Sequence, residues 1–371
     1  MRTASRGRQR SIDFLRGVAI ALMVLVHFAE NLSGWYGGAG GPFVGVHRTW
    51  WLPTGFAAPI FTFLSGLSYR LWADLQRERG RSDDWIAKSS VRRGLFLIGL
   101  GFAFNVLIWL PEDVFNWDIL TLIGGGLLVL AAARWVPDPA IAFSAAVVVA
   151  VAPALRVAAD YMAFWTGGFF DYEFTLADVT LGWLVTGYFP VFPWLAFPLA
   201  GYALGPSMLA GSRTAFLAAG GLVAAALGLM VSWPVLPPVV TGDAVRVWSM
   251  FPPSTAYVLG TLGTVMLALA MAHRLLDEHA DRGRLLMDWL APLSRHALSI
   301  YLLHHAVHVW PLWAAGLASE GKVSSLWQVA MPVGWAVALA GGFLVAAAVL
   351  FRWVDRQGLP SPESLMRWLC D

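Results

Sequence analysis

An arginine and a histidine stand out in an otherwise apolar stretch that opens with Ser11-Ile12-Asp13-Phe14-Leu15-Arg16-Gly17 and reaches His27. Ionisable side chains are expensive in hydrocarbon, so each one inside a spanning helix points to function or to a specific partner. Arg16 and His27 are eleven residues apart, about 1100° of helical rotation, roughly 20° from three full turns. Both therefore share one helix face, separated by roughly 16 Å along the axis. A fixed cation and a titratable imidazole on one stripe mark the two ends of a substrate path. The simpler alternative has Arg16 snorkelling to the headgroups and His27 meeting a neighbouring carbonyl. A second cluster ends a later apolar run, Ser299-Ile300-Tyr301-Leu302-Leu303-His304-His305-Ala306-Val307-His308. Tyr301, His304 and His308 follow one another about one turn apart on one face, at a depth similar to His27. A histidine pair at this spacing would need a further ligand to hold a metal, and no metal is expected. His47 lies in an outer loop beside Trp50 and Trp51, where an aromatic-belt role is the simplest one. Asp118 stands at the start of a helix as an N-cap, and can also orient a histidine or accept a proton. Glu30 and Asn31, about one turn past His27, add polarity at that end.

The elements that carry these residues follow from composition. Of 371 residues, 58% are hydrophobic and 13% charged, with 22 Phe and 20 Trp against 25 Lys plus Arg. That is too little charge for a water-soluble surface, and a soluble enzyme and a disordered chain are both excluded. An all-α, polytopic helical membrane protein is expected, because spanning segments must satisfy their backbone groups internally. Windows of about 20 apolar residues give about ten transmembrane helices: roughly 12–32, 53–73, 91–111, 118–135, 139–158, 183–205, 213–235, 254–274, 292–316 and 327–352. The ninth is expected to begin with an interfacial stretch from Leu285 to Leu290. The sixth holds Pro190, Pro193 and Pro198, which must kink it.

Basic residues collect on one side, in a tail over residues 1–11, around Arg77, Arg79 and Arg81, at Arg92 and Arg93, and in a C-terminal tail over residues 353–371. The positive-inside rule then puts both termini in the cytoplasm, with the whole of 1–371 as one membrane domain in the cell's inner membrane. Cys370 is the sole cysteine, which excludes a disulfide framework and a cysteine-ligated metal site. The Lys/Arg clusters lack any nucleic-acid module, so membrane lipids are the expected surroundings and no nucleic-acid partner is expected. A homodimer is left open. The segment from Ala159 to Leu181 is aromatic and acidic, and a connection of that length points to a functional loop.

Taken in order, five stretches resemble the bacterial relatives of heparan-α-glucosaminide N-acetyltransferase, within the wider transmembrane acyltransferases. They are Arg10-Ser11-Ile12-Asp13-Phe14-Leu15-Arg16-Gly17 with His27, the run from Phe56 to Gly66, Trp117-Asp118-Ile119-Leu120, Tyr188-Phe189-Pro190-Val191-Phe192-Pro193-Trp194, and the run from Leu293 to His304. The resemblance implies transfer of an acyl group, commonly acetyl from acetyl-CoA, to a sugar hydroxyl or amine across the membrane. The superfamily's arginine and histidine fall on Arg16 and His27. The glucosaminide enzymes carry Asn at the position of His27, and their active-site histidine best matches His47. His27, His47 and Asp118 are then the catalytic candidates, and Glu30, Asn31, Tyr301, His304 and His308 the acceptor-binding ones. A CoA-type donor would place its phosphates on Arg16, Arg92 and Arg93, where guanidinium groups give charge-assisted bonds, and run its arm along the first helix. The expected partners are an acyl-CoA donor and a glycan or amino-sugar acceptor. Two other classes use the same polar residues: a transporter or flippase without chemistry, and a haem- or quinone-binding carrier with His27 and His304 as axial ligands.

Overall fold

A computed structural model of the chain describes residues 9–34, 55–166, 169–231, 243–279 and 283–371. The expected spans appear as helices α1 (Arg10–Ser33), α2 (Ala57–Glu78), α3 (Asp83–Ile108), α4 (Ile119–Ala132), α5 (Asp138–Ala158), α6 (Leu176–Leu181), α7 (Ala196–Leu209), α8 (Arg213–Val231), α9 (Thr255–Ala272), α10 (Arg284–Arg295), α11 (Ala297–Glu320), α12 (Val333–Gln357) and α13 (Pro362–Cys370). The strands among the described residues are the two-residue pair Trp165–Thr166 and Phe169–Phe170, so the chain is all-α. Among the described residues, seven helical segments are long and apolar enough to cross a membrane. Helices α2 and α11 have the length, at 22 and 24 residues, but carry charged or histidine side chains in their interiors.

One expected span is shortened and two are divided, while others shift their limits by several residues. The fourth shrinks to the 14 residues of α4, about 21 Å, because Asp118 caps it at one end and Pro137 starts the next helix at the other. The sixth breaks into α6, a π-type turn at Gly182–Thr186, a single turn at Val191–Trp194 and α7. Pro190 and Pro193 cannot donate a helical hydrogen bond, whereas Pro198 falls in the first turn of α7, where none is required. The broken backbone is enclosed by protein, with Thr186 and Trp194 fully buried, as irregular chain at membrane depth must be. The ninth divides at His296 (φ −110°, ψ 36°) into α10 and α11. There the His296 ring stacks on Phe351 at 4.5 Å and bonds Asp355 at 2.9 Å, fixing the corner.

Helix α1 sits in the middle of the assembly, touching α2, α9, α10, α11 and α12. Its first amides are satisfied from outside the helix: Arg10 N and Ser11 N donate to Asp277 Oδ1 at 2.6 and 3.3 Å. A carboxylate there also complements the positive end of the helix dipole. At the far end Gly34, with φ +60°, closes the helix by donating to the Glu30 carbonyl. Gln328 N and Met331 N bond the Asn31 and Leu32 carbonyls, which pins that end against the segment before α12.

Helices α2 and α7 touch backbone to backbone. A Cβ added at Gly66 would lie 1.9 Å from the Pro198 carbonyl oxygen, and one at Gly201 would lie 2.0 Å from that of Phe63. Close approach through small residues is how helices associate where lipid is as apolar as leucine.

Residues 353–357 continue α12, and α13 folds back on α3. Glu363 accepts from Ser299 N at 2.8 Å and Ser299 Oγ at 2.7 Å, capping the first turn of α11. Ser89 Oγ donates to the Cys370 carbonyl at 2.9 Å, and burial pushes the Cys370 thiol up from its ordinary pKa. The C-terminal segment thus clamps the helix that carries the histidines.

Candidate active site

The histidine on α1 meets the histidines on α11. His27 Nδ1 lies 2.9 Å from His304 Nε2, and the two rings stack with centroids 5.2 Å apart. The His305 ring centroid is 4.7 Å from that of His27. His304 and His305 are fully enclosed, while His27 is half-buried.

Helical geometry fixes which nitrogens hold protons. His304 Nδ1 is 2.8 Å from the carbonyl oxygen of Ile300, an acceptor only, so Nδ1 carries the hydrogen and donates it. His304 Nε2 is then a bare lone pair, and the short contact with His27 requires His27 Nδ1–H as the donor. The remaining nitrogen of His27, Nε2, is thereby left with an available lone pair. This relay of carbonyl, imidazole and imidazole has the form of a base held by an orienting neighbour.

Around this pair, Tyr301 donates its hydroxyl to Asp118 Oδ2 at 2.9 Å, while Asp118 Oδ1 accepts from Thr121 N at 3.1 Å. Asp118 is thus an N-cap of α4 and a partner of Tyr301, and its hydrogen bonds do not go to a histidine. Asn31 Nδ2 donates to His308 Nε2 at 2.8 Å, since His308 Nδ1 is held by the His304 carbonyl. These two buried groups satisfy each other, beside Phe28, whose ring centroid is 4.4 Å from that of His308. Glu30 is half-buried one turn beyond His27.

The other end of the stripe also faces protein. Arg16 donates to Ser68 Oγ on α2 at 2.8 Å and to Ser294 Oγ on α10 at 3.4 Å, and Ser294 in turn donates to Asp13 at 2.8 Å. Arg93 stacks over Trp72 at 4.3 Å and bonds both carboxylate oxygens of Asp371, through Nε at 2.9 Å and through Nη2. Ser68 and Trp72 are one turn apart on α2, so Arg16 and Arg93 reach the same helix at adjacent levels. Arg92 is exposed. His47 lies outside the described residues.

Three participants escaped the sequence reading: His305, Ser68 and Ser294. An i, i+4 pattern selects His304 and His308 and passes over His305, which is 100° away around α11. The edges of Phe104 and Trp109 hold the His305 ring at 5.0 and 5.3 Å between centroids. The tandem histidine was the available signal, while the two serines carry none.

The chain is therefore a multi-helix membrane protein built around a buried imidazole cluster at one end of an inward-facing polar stripe. The sequence signature of the heparan-alpha-glucosaminide N-acetyltransferase catalytic domain matches residues 8–233 of its 371, and the chain belongs to that family of membrane acetyltransferases. No curated protein matches it significantly.

Proposed function

We propose that the protein moves an acetyl group from acetyl-CoA or a related acyl-CoA, bound at the basic cytoplasmic face, to an amine or hydroxyl of an amino sugar or glycan on the other side. The membrane is the cell's inner one, with both termini in the cytoplasm, following the charge asymmetry. The observation that carries this reading is the 2.9 Å contact from His27 Nδ1 to His304 Nε2, on the same helix stripe as Arg16. It supports His27 Nε2 as the general base and His304 as the group that positions it.

In the transfer step the acceptor nitrogen or oxygen attacks the thioester carbonyl carbon. Its proton passes to His27 Nε2, the new C–N or C–O bond forms, and the C–S bond breaks with CoA leaving as thiolate. The imidazolium then returns the proton to that thiolate. A positioned base of this kind contributes about 10² to 10⁴ in rate. The roughly 16 Å from Arg16 to His27 along α1 suits a donor whose phosphates stay at the basic end while its thin arm reaches the base. Arg16, Arg92 and Arg93 are the phosphate contacts, and a donor engaging Arg93 must displace Asp371. Glu30, Asn31, Tyr301, His308 and Asp118 shape the acceptor end, with His47 the second catalytic candidate. The stacked contact of His27 with His304 leaves no room for a porphyrin plane between them, which disfavours a bis-histidine haem.

The test is reconstitution of the full chain in vesicles with labelled acetyl-CoA and a glucosaminide acceptor, following free CoA and acetylated product. Transfer is expected, and His27→Ala should lower it at least 100-fold with the folded yield retained. Uptake of acceptor without CoA release would replace this reading with a transporter.

A further inference from the structure

We propose that His27, His304 and His305 form a binding site for a late first-row divalent cation of the zinc class, and that its occupation switches off the base at His27. The binding half of this rests on geometry alone, and the inhibitory half rests on the reading above. One nitrogen from each of the three residues lies within 4.8 Å of the other two. Zinc at about 2.0–2.1 Å from each ligand sets tetrahedral nitrogens about 3.3 Å apart. The His27–His304 pair, at 2.9 Å, reaches that by moving a few tenths of an ångström.

The rings are also prepared electronically. His304 Nδ1–H is held by the Ile300 carbonyl at 2.8 Å, and His305 Nδ1 faces the Tyr301 carbonyl at 3.3 Å. A backbone carbonyl on one ring nitrogen fixes the tautomer that presents the other as a ligand, which is the usual outer-shell arrangement of metal-binding histidines. Both Nε2 lone pairs are therefore available on consecutive residues of α11, and α1 supplies the third ligand. Three neutral imidazoles select zinc, copper or nickel over magnesium or calcium. Asp118, bonded to Tyr301, places a carboxylate next to the ring that backs the cluster, with the Tyr301 and His305 centroids 5.7 Å apart. Three protein ligands leave a fourth position for water.

Coordination needs the Nδ1 lone pair of His27. The proton on Nδ1 moves to Nε2, with no net proton released, and Nε2 no longer has a lone pair to receive the acceptor's proton. Cation and catalysis are thus mutually exclusive at the same ring.

The experiment uses the full chain purified without a polyhistidine tag, treated with EDTA and exchanged into clean buffer. Zinc is measured by elemental analysis after equilibration, and Co²⁺ is the optical probe through its tetrahedral d–d absorption. Wild type is expected to hold one equivalent per chain and to show the cobalt bands. His305→Ala should bind at least 10-fold more weakly. In the transfer assay zinc should inhibit wild type reversibly by EDTA, and the zinc needed to halve the rate, scored for each protein against its own rate in EDTA, should rise at least 10-fold in His305→Ala. Equal metal content in wild type and His305→Ala overturns the site. Metal binding by a chain that transfers nothing overturns the enzymatic reading and leaves the site standing; transfer that zinc does not inhibit, by a chain that binds it, overturns the switch.

Discussion

Replacing His304 tests the relay that makes His27 a base. In His304→Ala the His27 Nδ1–H loses an acceptor 2.9 Å away. An unsatisfied buried donor costs about 1–3 kcal/mol, and at about 1.36 kcal/mol per decade this converts to a kcat loss of about 5- to 150-fold. Most of this range lies below the 10²- to 10⁴-fold expected on removing the base itself, because an unpositioned imidazole still samples the productive tautomer. The donor's KM should hold, since Arg16 and its serines are unaltered. His304→Gln, whose amide oxygen can accept the same hydrogen, should recover part of kcat. The double variant His27→Ala/His304→Ala should be no slower than His27→Ala alone, because groups acting as a unit are not additive. The assay is the initial rate of CoA release in reconstituted vesicles, with a melting curve as the check on folding. Wild-type kcat in His304→Ala refutes the relay, and so does a double-variant loss equal to the product of the two single losses.

Gly66→Ala should disrupt the α2–α7 contact, because its methyl would sit 1.9 Å from the Pro198 carbonyl oxygen, where no rotamer offers relief. Overpacking costs about 1–3 kcal/mol where side chains can yield, and backbone against backbone belongs at or above the top of that range, so the thermal midpoint should fall by several degrees or folded protein be lost. Gly125→Ala, with nothing within 4 Å of the added Cβ, is the matched control and should melt like wild type. At the basic end, Cys370 is 2% exposed with its thiol pushed up by burial, so maleimide should label it slowly at neutral pH. Asp371→Ala removes the ion pair to Arg93, worth at most about 1 kcal/mol, and labelling should rise by up to about fivefold. Equal rates in the two proteins would remove the docked α13.

How much of this was legible in the sequence depends on how local each feature is. Hydropathy over single windows located the helices, since the backbone of a spanning segment can be satisfied only within itself. The helical period put Arg16 and His27 on one face, and proline chemistry signalled the broken sixth span. Asp118 was readable as an N-cap because capping is decided within three residues. Their family resemblance was carried by the same short stretches.

Contacts between segments were a different matter. That His27 meets His304 and His305, while His308 closes on Asn31, depends on the rotation of α11 against α1. That rotation is set by the corner at His296, the Glu363 cap on Ser299 and the packing of α12. The docking of Arg93 on Asp371 and the close approach at Gly66 have the same origin. Each joins residues far apart in the chain, and the relative rotation and depth of two helices follow from the sum of their side-chain contacts, which no periodicity within either helix contains.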